Sequence, residues 1–310
     1  MTSLAPLVLG VDAGGTKTDA ALADATTGEV VASVRLGPAN HEGIGWTAAA
    51  DALRDSVTAV CTAADVPAAA ISASAWGLAG LDWPEDGVRY REMVDSLGLA
   101  GPTLVVNDAF LCLELAPPGP AVAVVAGTGM VAVGRDASGR TARTLGVGAG
   151  HGEWGSGGEV VRAAVEAVAQ AHLDLGPATS LTAAALAASG AADADEFCRL
   201  VWREQRPSLT PADVWDVAAR GDRQAHAIAE RAADSYAAAA ASLVRRLDLD
   251  QPPTVLLAGR VLDPGHHLLH TAVLAAFAER VPGAPVRRLG VAPVHGAVLA
   301  GLRLVRSPAS

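Results

Sequence analysis

Two short segments of this chain share one local pattern, and together they restrict its fold more than any other feature. Leu7-Val-Leu-Gly-Val11 is an apolar run that enters the turn Asp12-Ala-Gly-Gly-Thr16, and a second run, Asp19 to Ala23, follows at once. Val122 to Val125 likewise enters Gly127-Thr-Gly129 and leaves along Met130 to Val133. Short apolar runs bounded by glycine turns predict strand, tight turn, strand. The second half of the chain therefore begins as the first does, and Glu29 to Val34, after Thr26-Thr-Gly28, extends the first copy into a three-strand meander.

Between and after these units the pattern alternates. From Trp46 onward, Ala49, Leu53, Val57 and Val60 recur with the helical period. Ile71 to Leu78 reads as a strand, Val88 to Leu97 as a helix, and Thr103 to Val106 as a strand that delivers Asn107-Asp108 before a helix beginning at Ala109. Pro117-Pro-Gly-Pro120 cannot join a central strand and reads as the boundary between two α/β lobes. That places an N-terminal lobe at residues 1–117, a C-terminal lobe at 118–294 and a closing helix at 295–310 that packs back toward the first lobe. In the second lobe the glycine-rich stretch Gly146 to Gly158 leads into a helix with Val160, Val161, Ala164, Val165 and Val168 on one face. Helices are expected over Thr182 to Glu204 and Ala225 to Leu247, a strand over Thr254 to Ala258, and a final helix over His295 to Arg306.

Composition narrows the partners. The formal net charge is −10, which supplies no basic face for nucleic acid or an anionic membrane. No apolar stretch reaches the length of a membrane span before a glycine or a charge breaks it. Met1 to Leu9 lacks a basic leader and reads as a first strand. Cys61, Cys112 and Cys198 are odd in number and follow no metal or disulfide spacing, so buried thiols and a cytoplasmic location are expected. With 51% hydrophobic but only 4% aromatic residues, the core must be built from close-packed small side chains. Whether the chain forms a homodimer is left open.

Asp12-Ala-Gly-Gly-Thr-Lys-Thr18 has the chemistry of a phosphate cradle: consecutive glycines let backbone N–H groups converge on an anion, and Asp12 can hold Mg²⁺ through water. A Walker A loop is excluded, because Thr16-Lys17 reverses the required order and a strand, not a helix, follows. Gly127, Thr128 and Gly129 repeat the turn chemistry. Asp108 ends a strand at the edge where α/β sheets place ligands, and it also suits a helix N-cap. Ala258-Gly259 ends a late strand.

In that order, these segments resemble the N-acetylglucosamine kinase and BadF/BadG-type ATPase branch of the actin-like and sugar-kinase superfamily, over nearly the whole chain. Leu9 to Thr18 is similar to its first phosphate motif, Val106-Asn-Asp-Ala109 to the first connecting motif, and Ala126-Gly-Thr-Gly129 to the second phosphate motif. Leu257-Ala-Gly-Arg-Val261 is similar to the adenosine motif and Val294-His-Gly-Ala297 to the second connecting motif. Gly37-Pro-Ala-Asn-His41, Gly77-Leu-Ala-Gly80 and Gly152 to Gly157 point to the branch. The resemblance implies two ribonuclease H-like lobes around a cleft, the actin-like ATPase fold. It implies transfer of the γ-phosphate of MgATP to a hydroxyl, the 6-OH, of an amino sugar such as N-acetylglucosamine, with Asp108 as general base. Gly14, Gly15, Thr16, Lys17 and Gly127 to Gly129 would hold phosphates, Gly259 and Arg260 the adenosine, and Asn40, His41, Gly80, Asp108 and Glu153 the sugar. Glucosamine or another aminohexose is the close alternative, and a BadF-type ATPase that activates a partner enzyme is a third reading.

The chain departs from the family pattern in two segments. Glu153 and Trp154 stand where it has Asp and Glu, and Trp154 can stack on a sugar ring or pack in the core. Arg260 replaces a glycine and would be strained at positive φ; it can instead lie flat on the adenine. His266, His267 and His270, on a helix expected to begin at Asp263-Pro264, lack accompanying metal ligands and read as structural, as does the lone His151 beside the glycine-rich stretch.

Overall fold

The computed structural model describes residues 6–204, 208–262 and 265–306. In chain order its elements are β1 (Leu7–Ala13), β2 (Thr18–Asp24), β3 (Val30–Leu36), α1 (His41–Ile44), α2 (Trp46–Ala64), β4 (Ile71–Leu78), α3 (Pro84–Asp95), β5 (Thr103–Val106) and α4 (Phe110–Glu114). There follow β6 (Ala121–Ala126), β7 (Met130–Arg135), β8 (Thr141–Arg143), α5 (Gly157–His172), α6 (Leu181–Ser189), α7 (Ala194–Glu204), α8 (Pro211–Ala219) and α9 (Arg223–Arg246). The chain ends with β9 (Thr254–Ala258), α10 (His267–Arg280), β10 (Val286–Arg288) and α11 (Val294–Arg306).

These elements form two compact units, one running up to Ala123 and resuming at Arg288, the other from Val124 to Arg287. Each unit is built on a five-stranded sheet. The first has the order β3-β2-β1-β4-β5, and the second, read from β8, has β8-β7-β6-β9-β10. Both orders run third, second, first, fourth, fifth. The repeated hairpin of the sequence is thus the first strand pair of each sheet.

Period-two alternation sorts the first sheet's side chains onto two faces. Leu7, Leu9 and Val11 of β1 and Ala20 and Leu22 of β2 join a buried cluster with Leu53, Val57 and Val60 of α2 and Tyr90 and Val94 of α3. Val8, Ala21 and Ala23 face the other way, against Val294, Val298 and Leu302 of α11. Fully burying each Leu or Val contributes about 1.5–3 kcal/mol, so α11 belongs to the first unit although it ends the chain. The first hairpin, α2, β4, β5 and α11 lie where periodicity places them.

Elsewhere the structure corrects the expectation. The helical span Thr182 to Glu204 holds two helices, α6 and α7, divided where Gly190 caps α6 in the left-handed region (φ 73°). Helix α3 starts at Pro84, four residues before Val88, because the Asp86 carboxylate accepts the backbone N–H groups of Asp82 and Trp83 and opens the helix early. Helix α8 was not anticipated, although Thr210 and Asp213 cap it reciprocally and Pro211 occupies its first turn. Strands β8 and β10 have three residues each, too few to show a period. Asp263 and Pro264, expected to begin α10, lie outside the described residues, as do Met1 to Ala5 and the last four residues of the closing segment. Among the described residues no helix is long and apolar enough to cross a membrane.

Candidate active site

Strand register assembles the carboxylates of the first unit. β1, β4 and β5 run parallel side by side, with Asp12 opposite Gly77 and Gly77 opposite Val106. The turn after β1, the segment after β4 and Asn107-Asp108 after β5 therefore emerge at one sheet edge, where open α/β sheets bind ligands. Asn107 is buried; its Oδ1 accepts the N–H of Ala109 at 3.1 Å, and its Nδ2 donates to Leu81 O at 3.4 Å and to Asp82 Oδ1 at 3.3 Å. The N-cap of α4 is Ala109, with no side-chain cap bond, so Asp108 does not serve the capping duty that the sequence also allowed it; Asn107 instead braces the turn before Ala109 and bonds to Asp82.

The Asp108 carboxyl is pushed up to about 7, first by desolvation and then by the negative charges of Asp12 and Asp82, against the opposing pull of the Ala109 and Asp108 backbone amides. Asp12 is raised to about 6, again first by burial, with Lys17 and Arg35 pulling it down and Asp19 pushing it up. Neither carboxylate is fully neutralised, since Lys17 ion-pairs with Asp19 and Arg35 binds the same Asp19 through Nε at 2.6 Å and Nη2 at 3.0 Å. A carboxylate pair short of positive charge suits Mg²⁺, which takes one or two carboxylates together with water and phosphate oxygens. Sequence reasoning missed Asp82, Asp19 and Arg35.

The first glycine turn closes through a 2.8 Å bond from Gly14 N–H to Lys17 O, and Gly14 O accepts the N–H of Ala39 at 3.1 Å. Gly15 and Thr16 stand exposed at its tip. The Ala39 bond ties the Asn40-His41 segment to this turn. Asn40 caps α1: its Oδ1 accepts the N–H of Glu42 at 2.9 Å, and its Nδ2 donates to Glu42 Oε2 at 3.3 Å. His41 stacks on Trp46 at 3.7 Å, with Tyr90 against both rings and the Arg89 guanidinium 4.3 Å from the Trp46 centroid. Gly80 has φ +79°, and a Cβ there would strike Asn40 Oδ1 and lie 2.9 Å from His41 Nδ1, so only glycine fits. The structure brings Asn40, His41 and Gly80 together beside the turn of Gly14 to Lys17.

In the second unit the turn between β6 and β7 closes from Gly127 N–H to Gly129 O at 2.8 Å, and Gly127 O accepts the N–H of Gly157 at the start of α5 at 2.8 Å. Thr128 and Gly129 are exposed. Gly259 (φ +96°) ends β9 against the backbone of Ala126, which puts the late glycine beside this turn. Arg260 is exposed and opens a short 3-10 turn; the positive φ belongs to Gly259, so no strain falls on the arginine.

Two carboxylates organise the glycine-rich stretch. Glu153 Oε2 accepts the N–H groups of Gly146 and Val147 at 2.7 and 3.0 Å. Glu159 accepts those of Ala149, Gly155 and Ser156 at 2.6 to 3.0 Å. From α9, Ser235 and Tyr236 donate to the carbonyls of Trp154 and Gly155, both at 2.6 Å. Trp154 is 5% exposed, and the Arg231 guanidinium lies 4.4 Å from its ring centroid; of its two expected placements the ring takes the buried one. His151 is exposed. His266 Nδ1 lies 3.7 Å from Asp216 Oδ1, and among the described residues no group of three or more His, Cys, Asp or Glu side chains is arranged as a metal site.

Known proteins resemble the chain over most of its length. The chain is 24% identical to an N-acetyl-D-glucosamine kinase of Dictyostelium discoideum over 96% of its own length and 98% of the relative's. It is 31% identical to an N-acetylmuramic acid/N-acetylglucosamine kinase of Clostridium acetobutylicum over 56% of this chain and 57% of that one. A solved structure from Chromobacterium violaceum, described as a candidate N-acetylglucosamine kinase, superposes with a TM-score of 0.70 at 22% identity, over 95% of this chain and 98% of that one. That likeness assigns the fold: each five-stranded sheet forms a ribonuclease H-like lobe of the kind found in the actin-like ATPase fold. The family model for BadF/BadG/BcrA/BcrD ATPases matches residues 9–301, and the chain belongs to the BadF/BadG/BcrA/BcrD ATPase family.

Proposed function

We propose that the protein is an ATP-dependent sugar kinase that transfers the γ-phosphate of ATP to the 6-hydroxyl of an amino sugar, N-acetylglucosamine first and glucosamine or another aminohexose second. The observation that carries this reading is Asp108, a carboxylate pushed up to about 7 by burial and by the charge of Asp12, two residues past the point where Val106 lies across Gly77 from Asp12. A general base works best when its pKa lies near the operating pH. Asp108 takes the proton from the sugar hydroxyl as the oxygen attacks the γ-phosphorus and ADP leaves. Catalysis of phosphoryl transfer is chiefly positioning and charge neutralisation. Gly14, Gly15, Thr16 and Lys17 in one unit, and Gly127, Thr128 and Gly129 in the other, are each assigned to phosphate oxygens, and Gly259 and Arg260 to the adenosine. Asp12 would hold Mg²⁺ through water, and the ion would supply positive charge to the phosphates. Asn40, His41 and Gly80 are assigned to the sugar, and Glu153 contributes through Oε1, because Oε2 is taken up by its own loop.

The deciding experiment is an ADP-release screen over N-acetylhexosamines, aminohexoses and plain hexoses, with the product's phosphorylated position read by NMR. N-acetylglucosamine is expected to give the highest kcat/KM and a 6-phosphate. ATP turnover indifferent to every sugar would favour the partner-activating ATPase instead.

Two substitutions separate the ligands. A Cβ at Gly127 meets nothing within 4 Å, so Gly127→Val should fold normally while its branched side chain keeps phosphate oxygens from the backbone amides. Affinity for a non-hydrolysable ATP analogue is expected to fall about tenfold or more by calorimetry. Unchanged affinity would remove this turn from the nucleotide site. Asn40→Ser keeps an N-cap oxygen for α1 but loses the amide donor, and it should raise the sugar KM about tenfold with the ATP KM within about twofold of wild type. Equal rises in both would take Asn40 out of the sugar site.

A further inference from the structure

We propose that Tyr90 is a positioning residue that fixes His41 in the tautomer protonated on Nδ1, so that Nε2 is presented as a bare acceptor for a hydroxyl or acetamido N–H of the sugar. The ligand rests on the kinase reading above; the tautomer does not.

A phenol has one proton to give and two lone pairs to receive. The Tyr90 side chain is fully buried, and burial pushes its titration well above the usual tyrosine range, so the proton stays on. That proton goes to Ala79 O at 2.9 Å. A carbonyl can only accept, and Ala79 is itself anchored by its N–H to Ala13 O at 2.9 Å. The two remaining contacts of the Tyr90 oxygen are the backbone N–H of His41 at 3.5 Å and its ring Nδ1 at 3.2 Å. With the phenol proton spent, both contacts are satisfied only if His41 donates them. Nδ1 therefore carries hydrogen, and in the neutral ring Nε2 carries a lone pair.

The plane of the ring is fixed by its neighbours, and the bond from Nδ1 to Tyr90 selects which edge faces them. Trp46 covers one face at 3.7 Å with the planes 18° apart, and Tyr90 stands edge-on at 76°. The glycine at position 80 leaves room beside Nδ1 and Cε1, where a Cβ would come within 2.9 and 3.0 Å. In the adjoining Asn40, both amide atoms already have a partner in Glu42. His41 Nε2 has no hydrogen-bond partner among the described residues, and His41 is partly exposed. An acceptor nitrogen in that place favours ligands that offer N–H or O–H and disfavours those that offer only ether or carbonyl oxygen.

The test uses Tyr90→Phe, which keeps the ring and its packing and removes only the hydroxyl, together with His41→Gln, whose amide stands near the place of Nε2. Long-range ¹⁵N–¹H spectra of the imidazoles at about pH 8, where histidine is neutral, with His41→Gln used for assignment, should show Nδ1–H in the wild type and a shift toward Nε2–H in Tyr90→Phe. Kinetically, Tyr90→Phe should raise the sugar KM about tenfold, and the same change made in His41→Gln should add less than about twofold, since the two residues act as one unit. An Nε2–H wild type, an unmoved tautomer in Tyr90→Phe, or an equal KM penalty in both backgrounds would each overturn the proposal and leave Tyr90 a packing residue. A chain that phosphorylated no sugar would remove the ligand, while the nitrogen shifts would still decide what Tyr90 does to His41.

Discussion

Asp108→Asn is expected to lower turnover about 10²–10⁴-fold, the usual scale for a positioned general base, and at the same time to make the protein more stable above pH 7. The two effects have one cause. Aspartate ordinarily titrates near 3.8, but in the fold Asp108 is pushed up to about 7, because burial and the charges of Asp12 and Asp82 disfavour its ionised form. Below pH 4 both folded and unfolded chains hold the proton, and Asp108 contributes nothing. Between about 4 and 7 the unfolded chain releases the proton while the fold retains it, so stability falls as pH rises through this window. Above 7 the fold carries the full cost of a disfavoured carboxylate. An amide of the same shape removes that cost, for a gain on the order of a few kcal/mol at pH 8 and roughly 2–4 °C in Tm for each kcal/mol. At pH 4 the gain should vanish. Wild-type kcat/KM should fall with acid below about pH 7 as the base is protonated, and the residual activity of the variant should lack that limb. Thermal melts at pH 4 and 8 and steady-state rates across pH decide the matter. Near-wild-type turnover would mean that Asp108 is not the base, and a lower Tm at pH 8 would mean that its carboxylate is not held against its preference.

Asp108 could be picked out from the sequence because its signal is local: an apolar run ends in Asn-Asp at a predicted strand end. The same is true of Gly14 to Lys17 and Gly127 to Gly129, whose glycines mark turns wherever the strands lie. Asp82 gave no such signal. It sits in Leu81-Asp-Trp-Pro-Glu-Asp86, where three acidic residues look alike, and it matters because the fold sets its charge against Asp108 and its side chain beside Asn107, 25 positions away. Lys17 reads as a phosphate ligand by its place in the turn, yet its partner Asp19 is shared with Arg35, which strand pairing lays beside it across β2 and β3. Glu153 reads as an acceptor for sugar hydroxyls, and its loop curls so that one oxygen serves the backbone of Gly146 and Val147. Each of these depends on register or loop closure, which pair residues far apart in the chain, whereas hydrophobic period reports only neighbours. Helix α8 is a different kind of miss, since Thr210-Pro-Ala-Asp213 carried a legible capping signature.

The second large effect should come from a residue with no side chain. Gly77 lies between Asp12 and Val106 in the sheet register, and a Cβ on it would collide with Leu111, 2.5 Å from its Cγ, and stand 3.0 Å from the Cα of Asp108. Leu111 is 1% exposed and has little room to rotate away. Nor can α4 retreat as a body, because the carbonyl of Leu111 already rests where Gly296 of α11 lacks a Cβ. A methyl at position 77 must therefore shift the Asp108 backbone itself. Overpacking of this kind costs about 1–3 kcal/mol, and a displacement of about 1 Å in a catalytic group can cost about 10²-fold in rate. Gly77→Ala is accordingly expected to lower kcat about 10²-fold with Asp108 intact. Leu111→Ala alone should lose about 2–5 kcal/mol by opening a cavity. In the double variant the new methyl enters the space vacated by leucine, so the two stability losses should fall short of their sum by about 1 kcal/mol or more, and much of the lost kcat should return. Urea unfolding and steady-state kinetics on the four proteins of the cycle measure both quantities. Strictly additive losses, with kcat still depressed in the double variant, would show that the methyl at 77 harms the site by some route other than Leu111 and that α4 is not what holds the Asp108 carboxylate in place.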